Sequence, residues 1–130
     1  MRDLRSPFKK AQGLGSARSG THHFMAQRIT AVALIPITLW LMTLVPYLLH
    51  ADYVTAYAMF VKPWNTIIFA AFFILAFWHA QLGLQVIIED YVHHRLAALL
   101  LQLATKLGAF FCVLIILFII VSLSLGGSVE

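Results

Sequence analysis

Charge is scarce in this chain: Asp, Glu, Lys and Arg make up 11% of its 130 residues, against 62% that are hydrophobic. So little polar material cannot cover the surface of a water-soluble domain, which excludes the soluble globular classes. Acid is scarcer than base, with five Asp and Glu against nine Lys and Arg, for a formal net charge of +4. The single cysteine, Cys112, excludes a disulfide framework and a thiolate metal cluster. Its place inside an apolar run reads as a small, inert packing residue. A glycine-rich nucleotide loop, zinc-ligand spacing and a Ser/His/Asp set are all missing, so nothing supports a hydrolase. There is no internal repeat, low-complexity tract or second domain. The basic tail has too few aromatics, and lies too near an apolar run, to argue for nucleic acid.

What the chain does have is long apolar runs. Three segments, about 26–49, 64–88 and 96–125, each approach or exceed the roughly 20 residues that cross a hydrocarbon core. They predict an all-α membrane protein of three antiparallel transmembrane helices. Residues 1–25 form a basic N-terminal segment, 26–125 the helical domain and 126–130 a C-terminal tail. The connection HADYVTAYAMFVKP is short and mixed, and EDYVHHR is a tight polar turn. Pro36 and Pro46 fall within the first span, where neighbours can satisfy a carbonyl freed by a kink. Arg2, Arg5, Lys9, Lys10 and Arg18 precede that span, opposed only by Asp3, which places the N-terminus and the EDYVHHR turn in the cytoplasm. The C-terminus then lies on the opposite side. The tail does not read as a secretory signal, because the first apolar run is too long and too far from the start, with no small-residue cleavage site after it.

The second span carries the chemistry, in the stretch HAQLGLQVIIEDYVHH from His79 to His94. At about 100° per residue His79, Gly83 and Asp90 share one helical face, while Tyr91 lies about 18 Å along the axis from His79 and roughly 120° away. An ionisable ring at this depth is costly, faces the bundle interior and is a functional candidate, although a neutral ring bonded across helices is the structural alternative. Gly83, one turn on, clears room on the same face for something flat. Haem is such an object, and neutral imidazole is its commonest axial ligand. Were such a group held between two histidines, this chain would offer only one at membrane depth. His50 is the nearest rival but sits at the opposite interface.

The histidine, the glycine four residues later and the Asp-Tyr pair eleven and twelve later resemble the second helix of the succinate dehydrogenase (respiratory complex II) hydrophobic membrane anchor, the small subunit of its cytochrome b. The likeness extends upstream to THHFMAQRITA, with His22 and Arg28 ahead of the first span, and the three-helix layout covers nearly the whole chain. It implies a four-subunit complex that links the tricarboxylic acid cycle to the respiratory chain. A flavoprotein carrying FAD oxidises succinate, an iron-sulfur subunit conducts electrons, and two anchors bind haem b and reduce ubiquinone. On this resemblance the chain, not catalytic alone, is expected to supply His79 as an axial ligand to the haem iron, and the partner anchor the second. Arg28 and His22 are expected by the same likeness to approach the haem propionates, with His23 one residue away. Tyr91 is expected from the likeness to donate a hydrogen bond to the quinone, with Asp90 supporting it or passing protons. The absence of a transit peptide points to a bacterial inner membrane rather than a mitochondrial one.

Each of these residues also has a plainer reading. Arg28 can snorkel to lipid phosphate, Tyr91 can be an aromatic-belt anchor and Asp90 a helix-end charge. Glu89 is expected to face water, and His93, His94 and Arg95 to form a solvated turn that meets an iron-sulfur subunit or anionic lipid. Lys106 either snorkels or pairs with an acid of the partner anchor. Tyr57 and Trp64 read as interface anchors and Trp78 as packing. Two alternatives stay open at this point: an anchor of the fumarate reductase type working on menaquinol, and a small structural or proton-relay membrane protein.

Overall fold

A computed structural model describes residues 17–126, with side chains from Gly20 onward. Residues 1–16 and 127–130 lie outside the described residues. With them go most of the expected basic segment, including Arg2, Arg5, Lys9 and Lys10, and nearly all of the expected C-terminal tail. Four helices follow one another: α1 Ala17–His50, α2 Tyr53–Val61, α3 Pro63–Tyr91 and α4 Arg95–Gly126. There is no strand among the described residues. Three of these helices are long and apolar enough to cross a membrane, spanning Gly20–His50, Pro63–Tyr91 and Arg95–Gly126. Each overshoots its expected apolar run, because the helix continues into polar flanks that a count of apolar residues leaves out.

The helix ends have local causes. Pro63 stands at the first position of α3, where its missing N–H costs nothing and its fixed φ suits the helix. Lys62 ahead of it is held out of the helical region, at φ −56° and ψ 126°. At the other end the Val92 N–H donates to the Ile88 carbonyl at 3.0 Å, and only Val92, His93 and His94 separate α3 from α4. The His94 carbonyl accepts the Ala98 N–H at 2.9 Å, and its ring Nδ1 takes the Ala97 N–H in a long 3.4 Å contact. His94, exposed on this chain, therefore also caps α4. Helix α1 runs without interruption through Pro36 and Pro46.

The stretch between the first two spans departs from expectation, since it holds a helix of its own. Nine residues are too few for a stable helix in isolation, so tertiary contacts must hold α2. Its C-terminal carbonyls, orphaned as at any helix end, are taken up by the first turn of α3. Asn65 Nδ2 donates to the Met59 carbonyl at 2.6 Å, and Thr66 Oγ1 to the Phe60 carbonyl at 2.9 Å. Phe60 packs on Phe69 of α3 at 4.7 Å between centroids, and Trp40 of α1 meets the same ring edge-on at 6.1 Å. Tyr57, expected as an ordinary interface anchor, instead donates to the Leu123 carbonyl of α4 at 2.8 Å and ties α2 across the bundle.

Helix α3 is the centre, packed extensively on α4 on one side and α1 on the other. Very little of the chain is buried by itself. Among the described residues only Thr30, Leu44, Asn65, Leu82, Ile88 and Ile120 are. Side chains such as Val32, Leu39, Leu100 and Phe118 stand outward, exposed to at least 60%. Cys112 is exposed too, so it does not pack inside this chain. In water such a surface would collapse; lipid and neighbouring protein must cover it. Two of the six buried residues are polar, and both are hydrogen-bonded between elements.

Replacing Asn65 by Leu keeps bulk but strands the Met59 carbonyl. The expected cost is about 1–2 kcal/mol, read as a lowered midpoint in thermal unfolding of the detergent-solubilised complex. An unchanged midpoint would show that the α2–α3 corner is held by its aromatic contacts alone.

Candidate functional site

His79 stands near mid-membrane on α3, about 18 Å from Tyr91 and about 24 Å from Pro63 along the axis. The ring is half-buried. Its Nδ1 lies 2.9 Å from Thr30 Oγ1 of α1, a contact joining residues 49 apart in the chain. Thr30 is the most buried side chain described, 1% exposed. The same hydroxyl approaches the Ala26 carbonyl at 2.9 Å and the Gln27 carbonyl at 3.1 Å. The other ring nitrogen, Nε2, has no hydrogen bond among the described residues.

His79 also lines an open groove of about 370 Å³ whose other walls come from α1: Ala31, Leu34, Ile35, Thr38 and Leu39. The wall is almost wholly apolar, so the imidazole and the Thr38 hydroxyl are its polar points. Arg28 lies on the same α1 stripe as Ala31, Ile35 and Leu39, within about 60° of each by helical geometry. It stands one turn beyond the groove toward the end where Tyr91 lies. Its side chain is exposed, and the guanidinium carbon sits 5.0 Å from the Phe24 ring centroid.

His22 and His23 part company here. His22 is exposed and about 120° around α1 from Arg28. His23 is half-buried on the face of Thr30, two turns away, and its Nε2 is buried without a hydrogen-bond partner. A ring nitrogen covered by its own chain without a hydrogen bond is costly.

Gly83 shares the His79 face, yet a Cβ built on it meets nothing within 4 Å. The same holds for the other described glycines. Packing inside this chain does not require glycine there, so any requirement comes from what lies outside the chain. Asp90 and Tyr91 close α3, both exposed and without an ion pair or side-chain hydrogen bond among the described residues. Tyr91 is 77% exposed, its hydroxyl available to a ligand or a neighbouring chain.

The opposite side of α3 holds a polar ladder that sequence inspection passed over. Gln81 Nε2 donates to Gln85 Oε1 at 3.4 Å, and Gln85 Nε2 to Glu89 Oε1 at 2.8 Å. Gln102 Nε2 of α4 reaches the same Glu89 oxygen at 3.3 Å. Glu89 is exposed on this chain, and it also anchors this ladder. Lys106 and Trp78 flank Gln81 in a second groove, of about 240 Å³, between α3 and α4. The available signal was the four-residue recurrence of Gln81, Gln85 and Glu89, and Thr30 had none beyond its place in AQRITA.

Comparison with known proteins follows the same direction. The family described as succinate dehydrogenase/fumarate reductase transmembrane subunit matches residues 2–122. The succinate dehydrogenase hydrophobic membrane anchor subunit of Rickettsia bellii is 36% identical over 125 residues, covering 96% of this chain and 98% of that protein. The subunit of the same name from Rickettsia conorii is 30% identical over 128 residues, again 96% and 98%. That from Paracoccus denitrificans is 36% identical over 86 residues, 66% of this chain and 67% of its own. No solved structure matches.

Gly83→Ala separates the demands of the chain from those of its surroundings. Helix propensity favours the change by about 1 kcal/mol, and nothing within the chain resists it. Membrane insertion and helicity, followed by expression and circular dichroism, are expected to be unchanged. If haem occupies the His79 face, as the resemblance implies, its content in protein purified with its partner subunits is expected to fall. Equal occupancy would remove Gly83 from the site.

Proposed function

The chain belongs to the succinate dehydrogenase/fumarate reductase transmembrane subunit family, and from that premise we propose that it is a membrane anchor of succinate:ubiquinone oxidoreductase, sharing haem b with a second anchor and forming part of the quinone-reduction site. Its relatives are subunits of an oxidoreductase complex, and this chain works within such a complex, beside a flavoprotein, an iron-sulfur subunit and the partner anchor. The N-terminus and the Tyr91 end face the cytoplasm in this proposal, and the membrane is a bacterial inner membrane, as the basic N-terminal residues and the bacterial relatives suggest.

The observation that carries the proposal is an imidazole in the middle of an apolar span, hydrogen-bonded to the protein through one nitrogen, on a ring that lines an open apolar groove. The residues present suit haem. His79 has a nitrogen to give the iron, Gly83 leaves the same face clear, and Arg28 lies on the groove stripe toward the cytoplasmic end, where a guanidinium can hold propionates. His22 is exposed on this chain and open to a propionate, whereas His23 Nε2 is covered by the chain itself. Haem, were it held there, would supply a one-electron redox centre. At the cytoplasmic end Tyr91 offers a neutral phenol that donates to a quinone carbonyl as that oxygen gains electron density. Asp90 beside it orients a neighbouring group or relays protons from water.

Two substitutions test the two halves. His79→Ala is expected to abolish or convert the low-spin bis-imidazole absorption spectrum of the assembled complex, and an unchanged spectrum would falsify the axial assignment. Tyr91→Phe keeps the ring and removes only the hydroxyl. Succinate-to-quinone turnover is expected to drop on the order of 10² to 10³-fold, as for loss of one preorganised donor. Succinate oxidation with a soluble artificial acceptor should persist, because the flavin and iron-sulfur path is untouched. Wild-type quinone turnover in this variant would leave Tyr91 as an interface anchor only.

A further inference from the structure

We infer that Thr30 is the positioning residue of His79: its hydroxyl accepts the Nδ1–H of the ring, selecting the tautomer whose Nε2 carries the lone pair and holding the ring plane against α1. This inference rests on the proposal that His79 ligates haem, and it assigns Thr30 a role toward that ligand.

The assignment follows from counting protons. A threonine hydroxyl has one proton and two lone pairs. Thr30 Oγ1 has three close neighbours: the Ala26 carbonyl at 2.9 Å, the Gln27 carbonyl at 3.1 Å and His79 Nδ1 at 2.9 Å. Carbonyl oxygens only accept. If the hydroxyl proton pointed at Nδ1, Oγ1 would face two carbonyl oxygens within hydrogen-bond distance with no proton between them, a repulsive arrangement. If the proton lies toward the carbonyls, in the backward bond common for threonine in helices, every contact is attractive. The oxygen then has lone pairs left for Nδ1, which must bring the hydrogen. Neutral imidazole carries one N–H, so Nε2 is left as the basic nitrogen.

Burial makes this arrangement exclusive. At 1% exposure no water reaches Thr30 to replace either partner, and hydrocarbon offers none. Two helices are thus locked at the depth where the imidazole is needed, and Nε2 is on the side of the ring away from the anchored nitrogen. A metal-ligating histidine that donates its second N–H to a fixed oxygen gains basicity and loses rotational freedom. Neither Arg28 nor Tyr91 is in hydrogen-bonding contact with the ring, so this second contact comes from Thr30.

The test uses the whole complex purified with its partner subunits. Thr30→Val is close to isosteric and removes the hydroxyl; Thr30→Ser retains it. Should Val block assembly, Thr30→Ala, which adds no bulk, serves as the hydroxyl-free variant. Without the hydroxyl, haem is expected to be held on the order of 10 to 100-fold more weakly. The midpoint potential of the haem retained should move positive, since a less basic imidazole stabilises ferric iron less. Its low-spin electron paramagnetic resonance signal should broaden as the ring plane is freed, and Thr30→Ser should return all three toward wild type. A hydroxyl-free variant with wild-type haem content, potential and signal, in a background where His79→Ala loses the haem spectrum, overturns the role of Thr30 and leaves the axial assignment standing. If His79→Ala keeps the wild-type spectrum, the axial assignment falls, and the positioning role with it.

Discussion

Hydrocarbon offers no hydrogen-bond partners, and most of this molecule's design answers that constraint. A polar group at depth either finds its partner in protein or stays costly. Thr30 illustrates the rule most fully: its proton bonds back to its own helix and its oxygen meets His79 of the next, so one buried hydroxyl satisfies the backbone and secures the ring. Asn65 and Thr66 do the same for the carbonyls at the end of α2. On the other side of α3, Gln81, Gln85, Glu89 and Gln102 satisfy one another. Each polar cluster joins two elements, so the groups most expensive to bury are also the ones that fix how the helices sit.

Few apolar contacts are left to do that work. With only four apolar side chains buried among the described residues, the three long helices make a thin, open assembly rather than a closed bundle. In a soluble domain that would forbid folding. In a membrane, apolar faces rest against lipid without penalty, and helix association depends on close packing and interhelical hydrogen bonds. The openness also has a use. In the proposed complex a chain that closed around its own histidine would leave no room for haem and a second anchor, whereas here the groove beside His79 and the Gly83 face stay clear.

The two functional ends of α3 divide naturally by environment. His79, deep and half-buried, suits a task in which charge is kept out and a neutral nitrogen does the binding. Tyr91, twelve residues on and 77% exposed, sits where a polar ligand and water-derived protons can both arrive. A single rigid helix of 29 residues holds them at a constant separation. Both belong to sites that, in the proposed complex, other chains complete.

The sequence by itself determined the three spans, their antiparallel order, the depth of His79 and its shared face with Gly83 and Asp90. Each follows from one-dimensional periodicity and from the length needed to cross a bilayer, and the likeness in HAQLGLQVIIEDY and THHFMAQRITA was enough to point to the family. Tertiary structure alone decided the rest. That α2 is a helix depends on Asn65, Phe69 and Leu123 meeting it from other elements. That His23 rather than His22 turns inward depends on how α1 is rotated against α3. That Thr30 faces His79 depends on that rotation and on the vertical register of two helices whose bonded residues are 49 apart. Helical periodicity states which residues share a face but not what that face meets, because rotation and register are set by packing between helices.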